Sequence, residues 1–327
     1  MTPKENYLYM IKNRYPEYVP SMYEPYRAPC FDELLTPNSA PDGPIVTSLG
    51  VTYVGSPDNN FGAMPKPGEV VIDDITKWRD QLKIRDVTGR DWEGYYKKKS
   101  EGVDRSQVCM CVDGGDYFLT LVSLLGFENA LLALYEEPEE VKALLTEISK
   151  FYTMVLTKQM EYLRPEVYIL MDDDAAYRAP FFSLDIYRDI FKPFHKMQCD
   201  IALNYGAVID RHDCGKSEQF VDDWLEIGVR GWNPCQITND CVGIKKKYGD
   251  RLVLTGCWDT QGSICSPTVP LDELEAALDE YVASFVPGGN FGFSAMILGK
   301  QDNPDANVRR DFIKNYFFEK VRDYYKS

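Results

Sequence analysis

The chain has 327 residues, of which 44% are hydrophobic and 13% aromatic, and its formal net charge is −15. That acidity excludes a nucleic-acid partner, whose phosphates need a basic face, and argues against a highly anionic substrate. No apolar run reaches the length of a membrane span and the start, Met1-Thr-Pro-Lys-Glu-Asn6, has no apolar core of a signal sequence, so a cytoplasmic protein without a membrane partner is expected.

Residues 1–106 read as irregular and rich in Pro, Gly and Asp, with a short helix at 7–13 and a helical turn opening at Asp74-Ile-Thr-Lys-Trp78. Regular patterning begins with a strand at 107–112 and helices at 118–125 and 130–135. Pro138 followed by Glu139 and Glu140 opens a long amphipathic helix running to about 163, since proline and acidic residues both suit a first turn. An apolar strand at 167–171 ends in Asp172-Asp-Asp174, and a helix over 184–204 carries Pro193 as a kink. A strand at 207–210 runs out at His212, and a helix follows over 217–227. Then come a strand at 229–232, a helix at 240–248, a strand at 251–255, a helix at 271–285, a strand at 290–293 and a final helix at 305–325.

Strand and helix therefore alternate repeatedly across short connections, and the strands are brief and apolar, as strands buried on both faces are. The pattern and length predict an α/β fold, a single (β/α)8 TIM barrel. An open doubly wound sheet is disfavoured, because no Gly-x-Gly-x-x-Gly or Walker-type loop follows any strand.

A barrel builds its site at the strand C-termini. There the most informative stretch is Val208-Ile-Asp-Arg-His-Asp-Cys-Gly-Lys216. His212, one of only two histidines, and Cys214 follow a strand two residues apart, and imidazole and thiolate are both zinc ligands. The same rim collects Asp172, Asp173, Asp174, Cys235, Gln236, Cys257 and Asp259 from other strands. Asp172, Asp173, Asp174 and His212 are the candidate catalytic residues, able to move a proton or orient a substrate. Tyr177, Gln236 and Asp259 are candidates for substrate binding. Each has a plainer reading: the aspartates as turn or cap residues, and Cys235 and Cys257 as small buried hydrophobes, the commoner fate of cysteine. His195, in mid-helix, reads as structural. The nine cysteines, an odd number, fit a reducing compartment with thiols free or metal-bound.

These segments together resemble the uroporphyrinogen decarboxylase superfamily, and most closely its branch of corrinoid-dependent methyltransferases, including those that demethylate aromatic methyl ethers. The resemblance rests on Asp74-Ile-Thr-Lys-Trp78, Leu124-Leu-Gly-Phe-Glu-Asn-Ala130, Tyr135-Glu-Glu-Pro-Glu-Glu140, Asp172-Asp-Asp174, Arg211-His-Asp-Cys-Gly-Lys216, Leu225-Glu-Ile-Gly228, Trp232-Asn-Pro-Cys-Gln236, Lys247-Tyr-Gly-Asp250, Gly256-Cys-Trp-Asp-Thr-Gln261 and Pro287-Gly-Gly-Asn290, in one collinear order. It covers residues 65–327 as the barrel and leaves 1–64 as an N-terminal extension packed on it.

The resemblance implies a barrel that moves a methyl group from a small methylated donor, a methoxy-aromatic in the favoured case, to a corrinoid (cobalamin) carried by a partner protein. That is O-demethylation, a reaction of anaerobic metabolism. It also implies zinc held by a His-x-Cys pair, matched by His212 and Cys214, and by a distant cysteine near the last strand. Gly292-Phe-Ser-Ala-Met-Ile-Leu-Gly299 contains no cysteine, and Cys257, on the neighbouring strand end, is the substitute that placement offers. True decarboxylases carry an arginine-rich N-terminal segment for the substrate carboxylates; Arg14-Tyr-Pro-Glu-Tyr18 echoes it without the arginine cluster. The alternatives are a tetrapyrrole decarboxylase using a rim aspartate such as Asp173, and a barrel that binds a ligand without catalysis. The reading also admits a homodimer.

Overall fold

The computed structural model describes residues 1–57 and 61–326. Its frame is a seven-stranded sheet of β1 (Arg27–Pro29), β2 (Cys109–Asp113), β3 (Val167–Met171), β4 (Val208–His212), β5 (Val229–Cys235), β6 (Val253–Gly256) and β7 (Phe291–Gly292). Every pairing is parallel, and β1 to β7 lie side by side in sequence order within this sheet. Helices Pro138–Leu163, Lys192–Asn204, Cys241–Tyr248 and Leu271–Phe285 cross between strands, which gives the barrel-type α/β fold that the alternation predicts.

The curl of the sheet is visible in one contact across its interior. Arg27 on β1 donates through Nη1 to Asp210 on β4 at 2.5 Å, and through Nη2 to the Tyr7 hydroxyl at 2.7 Å. One isolated parallel bridge, Ser21 to Phe293, ties the segment before β1 to the end of β7, where the Phe293 amide donates to the Pro20 carbonyl at 2.8 Å. Residues 1–64 thus supply one strand of the main sheet. They also supply most of a small antiparallel sheet of Ile45–Val46, Thr52–Val54 and Met64–Pro65. A three-residue strand containing proline carries no pattern that sequence periodicity can detect, and this is why β1 was not expected.

Strand alternation sorts the side chains. Cys109, Cys111, Val167, Ile169 and Val253 pack with Tyr7, Met10, Ile11 and Tyr26 as one interior cluster. Their neighbours Met110, Val112, Tyr168, Leu170 and Leu254 pack outward among the helices. The period of two therefore continues into the loops and decides which rim residues face inward. Pro193 does not break its helix. The turn before it, Tyr187–Phe191, winds as a π-helix, with the Lys192 amide donating to the Tyr187 carbonyl, and Pro193 falls in the first turn of Lys192–Asn204. No single helix among the described residues is long and apolar enough to cross a membrane.

Candidate active site at the strand ends

Three side chains of the kinds that bind metal meet on the rim: Asp173, His212 and Cys214, with their ligand atoms within 4.8 Å of one another. His212 is the last residue of β4, and Cys214 lies two residues on, at the same inward parity as Val208 and Asp210. Asp173 lies at the inward parity of β3, whose Met171 pairs in register with His212. His212 Nε2 is 3.8 Å from the Cys214 sulfur and 3.8 Å from Asp173 Oδ1. The Cys214 amide donates to Asp173 Oδ1 at 2.7 Å, which locks the two loops together. The side chains of His212 and Asp173 keep 36% and 34% of their exposure, so the cluster is open to solvent. Burial, then the charges of Asp173 and Asp213, pushes the Cys214 thiol up to about 12. It stays protonated unless a cation joins it.

Gly215 makes the turn after Cys214 and has φ +88°, and a Cβ there would stand 2.3 Å from the Ala175 carbonyl oxygen. Only glycine allows the loops after β3 and β4 to approach so closely. The Gln236 side chain supports the same turn by accepting from the Gly215 amide at 2.7 Å.

Asp172 and Asp174 take the opposite parity and are fully buried, away from the open cluster. Asp172 accepts the amides of Tyr117, Phe118 and Leu119 at 2.9–3.0 Å, capping the helix Phe118–Leu125, and its Oδ2 lies 3.2 Å from His195 Nε2. Burial opposes its ionisation, but the His195 contact and the helix amides hold its carboxyl below the usual range. His195 is thus buried between Asp172 and Tyr187, in the structural role its position suggests. Asp174 and Asp213 both accept from the buried Arg211 at 2.5 Å. Asp259 accepts the amides of Gln261 and Gly262 and holds a turn. Tyr177 is exposed on the loop after β3, and its carbonyl accepts from Thr238.

Cys257 is not brought to His212. Backbone φ is +107° at Gly256 and +55° at Cys257, which ends the strand alternation. The Cys257 amide donates to the Cys235 carbonyl at 2.7 Å, and its sulfur joins Cys235 and Cys241 in a separate buried cluster. The third residue beside His212 and Cys214 is therefore Asp173.

Sequence reasoning missed a second group of carboxylates on the rim. Asp113 ends β2 on the inward face, and Asp116 follows it; both are buried. Burial, with Asp116 and Asp32 nearby, raises Asp113 to about 7. Burial and the charge of Asp172 raise Asp116 to about 7, against donors Thr120 and Thr36. Asp32, just past β1, accepts from the hydroxyls of Tyr96 and Tyr95 at 2.5 and 2.9 Å. The inward parity of Cys109 and Cys111 extends to Asp113, and that was the available signal. A cavity of about 460 Å³ opens beside Asp32, between residues 31–48 and the guanidinium groups of Arg85 and Arg90, but Asp173, His212 and Cys214 do not line it.

A parallel barrel with ligand-type and acid–base side chains gathered at its strand C-termini has the construction of a barrel enzyme. The family model for uroporphyrinogen decarboxylase (URO-D) matches residues 117–286, more than half of the chain. The chain belongs to the uroporphyrinogen decarboxylase family. Among solved structures it is similar to a methyltransferase from Methanosarcina mazei, with TM-score 0.59 and 16% identity over 97% of this chain and 99% of that one. A sugar phosphate isomerase/epimerase from Parabacteroides distasonis also aligns, at TM-score 0.33 and 10% identity over 76% of this chain and 83% of that one. Among curated proteins none matches.

Proposed function

We propose that this chain is a methyltransferase that takes a methyl group from a small methylated donor, of which methoxy-aromatic compounds are the favoured class, for delivery to a corrinoid carried by a separate protein. The observation that carries the reading is the Asp173–His212–Cys214 cluster at the open end of a uroporphyrinogen decarboxylase-family barrel. The fold likeness to a methyltransferase supports it.

One imidazole, one thiol and one carboxylate oxygen within 4.8 Å of each other fit a zinc site with a position left open, the pattern of catalytic rather than structural zinc. Zinc bound there would supply a Lewis acid beside the donor heteroatom. The chain's own residues do the rest. Asp173 fixes the Cys214 backbone and so the spacing of the pair. Asp116, raised to about 7 and within electrostatic range of Asp173, is the buried carboxyl suited to give a proton to the leaving oxygen. Tyr177 offers an aromatic face at the mouth, with half of its surface free for a donor or a docking protein. Tetrapyrrole decarboxylation fits less well: the Asp173–His212–Cys214 cluster includes no arginine or lysine for a polycarboxylate substrate, and the guanidinium groups of Arg85 and Arg90 line a separate cavity.

The test is anaerobic incubation of the protein with methoxy-aromatic donors and a reduced corrinoid protein, following methylation of the cobalt by absorbance and the free phenol by chromatography. Phenol release that requires the corrinoid protein supports the reading. Decarboxylation of uroporphyrinogen without methyl transfer overturns it.

A further inference from the structure

The cluster that captured Cys257 is itself a site. Cys235 ends β5, Cys241 opens the helix Cys241–Tyr248, and Cys257 follows β6; all three are buried and their sulfurs lie within 4.8 Å of one another. Cys235 and Cys241 are 3.5 Å apart, sulfur to sulfur. Thiolates sharing one tetrahedral zinc at about 2.3 Å per bond stand about 3.8 Å from each other, so this spacing already suits a metal.

Packed thiols alone explain the arrangement less well. Cys257 reaches the group through a left-handed backbone, φ +55°, which a non-glycine residue adopts rarely. No carboxylate belongs to the cluster, and its sulfurs come from three separate elements. Lys245, which donates to the Gly289 carbonyl at 2.6 Å, lies within electrostatic range of Cys257. Three thiolates around a divalent ion leave one negative charge, and the Lys245 ammonium balances it.

We infer that Cys235, Cys241 and Cys257 bind a structural zinc ion, distinct from the open Asp173–His212–Cys214 cluster. The all-sulfur, buried donor set favours a soft ion held tightly, with a water or the Gln236 carbonyl, 3.4 Å from the Cys241 sulfur, completing the coordination. Its role is mechanical. Gln236 follows Cys235 directly and accepts from the Gly215 amide, so an ion here anchors the loop that supports the Cys214 turn. The inference does not depend on methyl transfer.

The experiment is metal analysis of the full chain, purified anaerobically with zinc and dialysed against a chelator, for the wild type and for Cys214→Ser, Cys241→Ser and Cys257→Ser. The expected result is one chelator-resistant zinc per chain in the wild type and in Cys214→Ser, falling at least tenfold in the other two. Should Cys241→Ser or Cys257→Ser fail to fold, cobalt(II) loading of Cys214→Ser decides, because three sulfurs on one ion give intense thiolate-to-metal charge-transfer bands. Zinc kept by Cys241→Ser and Cys257→Ser but lost from Cys214→Ser overturns the site. So does a Cys214→Ser protein without chelator-resistant zinc and without those bands.

Discussion

The carboxylate of Asp173 and the amide of Cys214, 2.7 Å apart, fasten the loop after β3 to the loop after β4. One side chain thereby serves twice: it sets the position of the thiol and stands as the third potential ligand. Removing His212 or Cys214 should leave the fold intact, because both are partly exposed and neither is part of a buried network. His212→Ala and Cys214→Ser are each expected to lower methyl transfer by about 100-fold or more, with unchanged circular dichroism. Asp173→Ala should do the same and also loosen the loop, which amide hydrogen exchange at Cys214 and Gly215 would register.

The carboxyl of Asp113 gives a pH-dependent prediction. Its pKa in the folded protein is raised to about 7 by burial and by Asp116 and Asp32, above the value of an unfolded chain. The folded state therefore holds a proton that the unfolded state releases at lower pH. The stability linked to that proton is full below pH 4 and is lost as pH rises through about 7. Asp113→Asn should be more stable than the wild type at pH 8 by about 2–4 kcal/mol, and similar to it near pH 4. Urea denaturation at the two pH values checks this.

At Gly215 a Cβ would stand 2.3 Å from the Ala175 carbonyl and φ is +88°. Gly215→Ala is expected to destabilise the protein by roughly 1–3 kcal/mol and to displace Cys214. The measurements are chemical denaturation and zinc affinity, and both should worsen together.

The interior pair of Arg27 and Asp210 is nearly dry, with side-chain exposures of 14% and 4%. Arg27→Ala alone strands a buried carboxylate and should cost about 3–5 kcal/mol, whereas Arg27→Met combined with Asp210→Leu should cost far less. Thermal unfolding of the two variants distinguishes a charge effect from a packing effect.

Much of the frame was legible because the strands after residue 107 are brief apolar runs separated by amphipathic helices. Val167–Met171 and Leu271–Phe285 fall where the periodicity puts them. The site was legible only in part. His212 and Cys214 stood out by chemistry and spacing, but the run Asp172-Asp-Asp174 looked like three equivalent acids. Strand parity separates them: Asp173 follows Val167, Ile169 and Met171 to the inside, and its neighbours turn outward to the helix cap and to Arg211. Parity fails at Cys257, since two consecutive left-handed residues carry the sulfur elsewhere, and no spacing rule foresees that. The helix Trp92–Lys99 was hidden by Gly94 inside it, whose amide is instead held by the Asp91 cap.

The Arg27–Asp210 contact joins residues 183 positions apart. At a translation rate of about 5–20 residues per second, the ribosome adds Asp210 roughly 10–40 s after Arg27. During that interval the first stave has a guanidinium and no counter-charge, and the interior it will fill does not yet exist. This barrel cannot mature from its leading end as synthesis proceeds. The charge on its first strand is answered only once the middle of the chain has been made.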